Sequence, residues 1–379
     1  MPPRPDEFES VFRGKRILVT GHTGFKGGWL VLWCTKIGAE VTGYALPPTP
    51  GALFDAIALS RDCRSVEGDV RDLAKLEATV REAKPDVVLH LAAQPLVRRS
   101  YDEPIETLTT NIVGTANLLE AVRCIGDPCV VVVVTTDKCY EPHPLGAPLV
   151  ETDRLGGADI YSVSKAGAEL LVDGYRRSFF PVQHLQRHGI RVATARAGNV
   201  FGGGDWADDR LVPDAMRALN KGLPIVARRP NAIRPWQHVL EPLAGYLILA
   251  ARLLSGSITE KADFCSAWNF GPDLSAMCPV SSLLDALVQA WGSGKWQTTT
   301  AEDHRHETGV LRLSSERSIA RLGLQPRWDL ETAIGYTVEW YRAFFAKVGP
   351  SRLRALSNGQ IDAYQIPRYQ PYQPVKVAS

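Results

Sequence analysis

The chain has 379 residues, 45% of them hydrophobic and 22% charged, with a formal net charge of +2 at pH 7. That length can bury a large core or two joined cores, and the composition is that of an ordinary water-soluble globular chain. The near-neutral balance gives no general attraction to nucleic acid or an anionic membrane, and apolar runs such as Val130 to Val134 are far too short to span a bilayer.

The chain opens "MPPRPDEFES", which lacks the charged and then apolar pattern of an export signal, so a cytoplasmic location is expected. A short apolar run, "RILVT" (Arg16 to Thr20), leads into "GHTGFKGGW" and then a helix whose Trp29 and Trp33 lie one turn apart, with Gly38 as its stop. Gly21, Gly24 and Gly27 therefore stand between a strand and a helix. There a dinucleotide pyrophosphate can approach glycine backbone and the positive end of a helix.

"EVTGYAL" reads as a second strand. It ends without the Asp or Glu that would hold a ribose and without an arginine for a 2′-phosphate, so these residues leave NAD and NADP both open. Asp69, in "EGDVRD", ends the third strand. It is a candidate acceptor for an adenine amino group, with a helix N-terminal cap as the equal alternative. "RDLAKLEATVREAK" is an amphipathic helix closed by Pro85, and "DVVLHLA" is the next strand. A helix from about Thr107 to Cys124 leads to "VVVVVTTDKCY", where a valine strand delivers Thr136, Asp137 and Lys138 together.

A helix begins near Tyr161, and "RVATARA" follows as a strand. Alternating strands and helices at this spacing predict an α/β fold with a doubly wound, Rossmann-type parallel sheet. The unbroken valine run agrees, because strands covered on both faces are apolar on both faces. Ligands of such sheets bind at the carboxyl ends of the strands, which is where Thr136 to Lys138 stand. "YSVSK" places Tyr161 and Lys165 on one helix face. An ammonium beside a phenol favours phenolate, so a lowered tyrosine pKa and proton transfer from a sugar hydroxyl are expected.

After about Asn199, Gly and Pro become frequent, with helices at about Val239 to Ser255, Ser281 to Trp291 and Leu330 to Ala346. The expected organisation is a dinucleotide-binding domain over residues 1–198 and a smaller α/β substrate domain over 199–363 with segments returning to the first. An extended tail is expected over 364–379. The seven cysteines, Cys34, Cys63, Cys124, Cys129, Cys139, Cys265 and Cys278, include no Cys-x-x-Cys pair, so reduced thiols are expected. Cys139 is notable for its neighbours. His22, His90 and His238 have no metal-ligand spacing and read as structural, so no metal is expected.

The stretches "VTGHTGFKGGWL", "HLAAQPLVRRSY", "TTDKCY", "YSVSKAGAEL", "RAGNVFGGGDWADDRLVPD" and "IRPWQHVLEPL" resemble the extended short-chain dehydrogenases/reductases of the nucleotide-sugar-modifying branch. Within it the chain is similar to the CDP-glucose 4,6-dehydratases. The resemblance implies NAD as cofactor, CDP-glucose as substrate and a homodimer built on paired long helices. It implies a 4-keto-6-deoxy product for surface-polysaccharide deoxysugars, lipopolysaccharide O-antigen among them.

By the same resemblance, Tyr161 takes the 4-hydroxyl proton, Thr136 holds the 4-oxygen, Asp137 protonates the leaving 6-hydroxyl and Lys138 removes the C5 proton. Most dehydratases of the branch carry Asp-Glu here, and the CDP-glucose type carries Asp-Lys. Cofactor contacts fall on Gly21, Thr23, Gly24, Phe25 and Lys26, on Asp69 and Val70, on Leu91, Ala92 and Ala93, and on Tyr161 and Lys165. Substrate contacts fall on Gln94, Asn199, Arg210, Leu211, Arg234, Asn269 and His306, the two arginines toward the diphosphate.

Where the family carries "GYDPYSNSK", this chain has "GGADIYSVSK", with Ala158, Ile160 and Val163 in place of Tyr, Pro and Asn, so the sugar wall is expected to differ. A 4-epimerase of the same fold and a non-catalytic nucleotide-sugar binding protein are the alternative functions. The Asp137–Lys138 pair speaks against the former, since epimerisation needs no leaving-group acid.

Overall fold

The computed structural model describes residue 4 and residues 7–143, 146–273, 277–299 and 310–366. Six strands of the first half are β1 (Arg16–Thr20), β2 (Glu40–Ala45), β3 (Arg64–Glu67), β4 (Val87–His90), β5 (Val130–Val134) and β6 (Arg191–Ala197). With Ala267–Phe270 they form one seven-stranded sheet in the order β3, β2, β1, β4, β5, β6, Ala267–Phe270. Every pairing in it is parallel.

The side chains of β5 explain its composition. Val130, Val132 and Val134 enter the core under the helices Phe25–Lys36 and Leu240–Leu254, whereas Val131 and Val133 enter the core under Gly114–Ile125 and Ile160–Ser178. Successive residues of a strand face opposite sides, so a strand buried on both sides needs an apolar residue at every position. Each fully buried valine contributes roughly 1.5–3 kcal/mol of hydrophobic stabilisation before entropic costs. The helix Leu240–Leu254 is buried around almost its whole circumference, which its apolar composition permits.

The helix entries and exits follow local chemistry. Asp159 accepts from Ser162 N and Ser162 Oγ and so starts the helix Ile160–Ser178. Asp72 does the same for Leu73–Ala83 through Lys75 N. The helix expected from about Thr107 begins earlier, at Pro104, and widens by a π-type turn over Thr109–Val113 before continuing to Ile125. That turn buries Asn111, whose amide donates to Ser164 Oγ and to the Gln94 carbonyl, tying two long helices to the end of β4.

Several helices go beyond the sequence expectations, the longest being Leu211–Asn220 and Pro350–Gln365. The helix Pro350–Gln365 takes in Tyr364 and Gln365, the first two residues of the expected tail; residues 367–379 of that tail lie outside the described residues. Helix continues through Tyr364, whose ring is buried against Trp33 and Trp328 and whose hydroxyl donates to Glu241. The aperiodic appearance of "YQIPRYQPYQ" conceals that one aromatic anchor.

Candidate active site

Parallel strands in register end together. Thr20 pairs with His90, His90 with Val133, and Val134 with Ala195. The segments leaving β1, β4, β5 and β6 therefore converge along one edge of the sheet, where they line a cleft of about 880 Å³.

The glycine loop forms the floor of one end. Gly21 has φ +73°, and a Cβ there would lie 2.7 Å from Ala92 N. A Cβ on Gly27 would lie 2.0 Å from the Gly21 carbonyl oxygen. Gly24 caps the 12-residue helix Phe25–Lys36 without a side-chain hydrogen bond, so the backbone N–H groups of its first turn have no side-chain acceptor at the cap. Close backbone, an open helix N-terminus and a neighbouring strand end fit a dinucleotide pyrophosphate. Thr23, Phe25, Lys26, Val70, Leu91, Ala92 and Ala93 line the same cleft. The Lys26 ammonium is pushed down to about 7 by burial and by Arg210 and Lys165. Asp69 also lines the cleft, but its carboxylate is clasped by Arg71 through the backbone N and the guanidinium. The helix cap considered for Asp69 belongs to Asp72 instead.

At the end of β5, Thr136 Oγ1 donates to Asp137 Oδ1 at 2.9 Å, and Lys138 N donates to Thr136 Oγ1 at 3.4 Å. Asp137 is 1% exposed and its Oδ2 has no partner among the described residues. Burial raises its carboxyl above the ordinary carboxylate range, against the opposing pull of Lys138, Thr136, Arg234 and Lys26. Lys138 is half-buried beside it and lines the cleft.

Tyr161 and Lys165 enter the cleft from one face of the helix Ile160–Ser178, and Tyr161 N donates to Ser100 Oγ at 3.2 Å. The expected lowering of the tyrosine is overturned. Burial drives the phenol upward; a hydrogen bond with Thr136 and the charge of Arg210 oppose it without prevailing. Removing a phenolate from water costs more here than those two groups return. The Lys165 ammonium is lowered to about 8, again chiefly by burial.

Asn199, Arg210, Leu211 and Arg234 also line the cleft. Arg210 is paired with buried Asp205 at 2.9 Å, and its charge bears on Tyr161. Gln94 reaches the cleft, but its side-chain amide is spent inside the protein, accepting from Leu96 N and donating to Leu96 O and Thr107 Oγ1. Asn269 does not reach it. It is fully buried, accepting from the Tyr140 hydroxyl and donating to Leu149 O. The strand bearing Asn269 joins the sheet edge, so its side chain closes on the loop after β5 instead of on a ligand. His306 lies outside the described residues.

Of the three departures in "GGADIYSVSK", Ala158 lines the cleft, Ile160 opens the helix and Val163 is exposed. Cys139 is buried and its thiol is raised well above its ordinary value, which leaves it inert. His22, His90 and His238 are buried, with partners in Ser65, in Thr20 and Thr115, and in the Leu240 N–H respectively. Sequence reasoning missed Asp205 and Glu169. The acidic run "GDWADDR" signals the first, and Glu169 lies four residues after Lys165 on the Tyr161 face.

A family model described as GDP-mannose 4,6 dehydratase matches residues 18–250. A CDP-glucose 4,6-dehydratase of Salmonella typhimurium is 45% identical over 337 residues, covering 89% of this chain and 93% of the relative. A solved dTDP-glucose 4,6-dehydratase from Streptomyces venezuelae, with NAD bound, superposes with TM-score 0.72 at 26% identity, covering 86% of this chain and 97% of that one. A UDP-N-acetylglucosamine 4-epimerase from Methanobrevibacter ruminantium shares the fold with TM-score 0.74 at 21% identity, covering 88% of this chain and 100% of that one. A family model over more than half of the chain and a relative at 45% identity agree with the cleft geometry, and the chain belongs to the GDP-mannose 4,6 dehydratase family within the extended short-chain dehydrogenases/reductases.

Proposed function

We propose that this protein is an NAD-dependent 4,6-dehydratase that converts CDP-glucose to CDP-4-keto-6-deoxyglucose. The observation that carries the reading is the Asp137–Lys138 pair placed in one cleft with Tyr161 and Lys165, beside a loop fit for a dinucleotide. The 45% identical relative, a CDP-glucose 4,6-dehydratase, supports the choice of nucleotide.

Gly21, Gly24 and the first turn of the helix Phe25–Lys36 would hold the pyrophosphate, and Lys165 would hold the nicotinamide ribose. NAD supplies a hydride acceptor that gives the hydride back within the same turnover. Tyr161 would take the 4-hydroxyl proton as the C4–H bond breaks; burial favours its neutral phenol, so the step relies on Thr136 at the oxygen, on the positive charge of Arg210 and on that of the oxidised nicotinamide to make it a base. The C4 ketone acidifies C5. Lys138 takes the C5 proton, and Asp137 gives its proton to the 6-hydroxyl, which leaves as water. A carboxyl raised by burial is suited to that donation, because it retains its proton at higher pH than a solvated one. Lys138 would return its proton to C5 once C6 is reduced, and the proton taken by Tyr161 would replace, through solvent, the one Asp137 gave, so that one water is lost and no cofactor is consumed.

Ile105, Val113, Val163 and Leu170 are exposed apolar residues on the helices Pro104–Ile125 and Ile160–Ser178. A second copy covering that surface makes the protein a homodimer. A cytoplasmic place in deoxysugar supply for surface polysaccharide completes the reading. Incubation with CDP-glucose and NAD tests it. NMR should show a 4-keto-6-deoxy sugar nucleotide with NAD unchanged in amount. Absence of that product from every nucleotide glucose offered removes the reading.

A further inference from the structure

A buried polar assembly lies directly behind the cleft. Glu169 Oε1 accepts from Thr135 Oγ1, the residue immediately before the reacting triplet. Glu169 Oε2 accepts from Thr194 Oγ1 at 2.8 Å and from Arg196 Nη2 at 2.7 Å. Both members of the ion pair are nearly inaccessible, with side chains 2% and 5% exposed. Arg196 Nη1 continues to the Tyr140 hydroxyl at 2.7 Å and to Glu151 O at 3.1 Å, and Tyr140 donates onward to Asn269 Oδ1 at 2.7 Å. A single carboxylate thus ties β5, β6 and the helix Ile160–Ser178 together, and through Arg196 it reaches the segment after β5.

Glu169 sits one turn beyond Lys165 on the face that presents Tyr161. The titratable and charged groups bearing on Lys165 are Glu169 on its own helix, Cys139 after β5, His90 on β4 and Lys26 in the glycine loop. Cys139 and His90 are held neutral by burial, and Lys26, lowered to about 7, carries a like charge only toward the acid end of the range. The negative charge facing Lys165 in this set is that of Glu169.

We propose that Glu169, fixed by Arg196, Thr135 and Thr194 one turn beyond Lys165, is a positioning residue that locks the helix carrying Tyr161 and Lys165 to the Thr136–Lys138 strand end and so presents Lys165 in the cleft. The inference rests on the dehydratase reading only for the kinetic part of its test. A bystander ion pair would serve stability alone, and its loss would leave the pH behaviour of the cleft untouched.

The test compares the full-length protein with Glu169→Gln and with the double variant Glu169→Leu/Arg196→Met. The double variant removes both buried charges, so that neither is stranded. NAD affinity by calorimetry and kcat with CDP-glucose are each followed between about pH 6 and 10. Glu169→Gln should lose NAD affinity and kcat on the alkaline side, with the upper limb of the profile displaced downward by about one pH unit, because Lys165 loses the facing carboxylate; the double variant, which also loses the Arg196 charge, should shift in the same direction by less. Glu169→Asp should restore the limb toward its original place. Superposable limbs, whatever the change in Tm, overturn the proposal. A displaced limb in NAD binding with no turnover of CDP-glucose even by the unaltered protein supports the role of Glu169 and counts only against the substrate.

Discussion

Thr136 gives its hydroxyl hydrogen to one oxygen of Asp137, 2.9 Å away, and the other oxygen of that carboxyl has no partner among the described residues. A buried carboxyl with one oxygen anchored and one idle is oriented to act on something that enters from the cleft. Asp137→Asn keeps the size and the acceptor but has no acidic proton. It should slow water loss by about 10²–10⁴-fold. Exchange of the C5 hydrogen with deuterium oxide should continue, because that step belongs to Lys138. Mass spectrometry of the recovered sugar nucleotide reads both, and water loss at the unaltered rate would refute the assignment.

Lys138→Met separates the two halves of the elimination from the other side. The stem is retained and the amine is lost, so neither C5 exchange nor dehydration should proceed above about 1% of the normal rate. C5 exchange at the normal rate would transfer the base role to another residue.

Much of this site was legible before any coordinates. The valine run, the glycine triplet and Tyr161–Lys165 are local patterns, and local patterns fix strand ends and helix faces. What was not legible depends on distant partners. The Tyr161 shift has the sign of burial, not of Lys165, and burial is a property of everything packed over the ring. Asn269 was expected at the ligand by resemblance alone, with no local pattern to place it. Its strand instead joins the sheet beside β6 and spends the amide on Tyr140 and Leu149. Tyr364 looked like the start of a tail because its partners, Trp33 and Glu241, are remote in sequence.

Gly27→Ala tests the dinucleotide cradle. The added methyl carbon would stand 2.0 Å from the Gly21 carbonyl oxygen, which is backbone and cannot rotate away. The loop must move, so NAD affinity should fall by at least about tenfold, equivalent to about 1.4 kcal/mol. Calorimetric titration reads this directly, and unchanged affinity would show that the loop does not approach the cofactor.

Leu170 is 63% exposed and Ile105 is 70% exposed, an unusual presentation for large aliphatic side chains on neighbouring helices. Leu170→Glu combined with Ile105→Glu should convert the proposed dimer to monomer in sedimentation experiments, since burying an unpaired carboxylate opposes association. A dimer that persists would place the contact elsewhere.

Glu241 offers a test of stability that is independent of turnover. Its carboxyl is 6% exposed and accepts from Arg327 N, Trp328 N and the Tyr364 hydroxyl, clasping the last helix to Leu240–Leu254. Burial nevertheless raises it to about 7 from an ordinary value of 4.5. The unfolded chain releases this proton near its ordinary value, whereas the folded chain retains it until about 7. Across that interval the folded state binds more protons, so the Glu241 contribution is fully present at low pH and is lost as pH rises through the folded value. The loss is on the order of 3 kcal/mol. His22, lowered to about 4 by burial, works in the opposite sense over part of the same interval, so the unaltered protein alone gives a mixed slope. The difference between it and Glu241→Gln isolates the carboxyl. Urea unfolding at a series of pH values should show the gap between the two proteins shift in favour of the glutamine variant as pH rises toward 7, and a gap that stays constant would place the Glu241 titration outside that range.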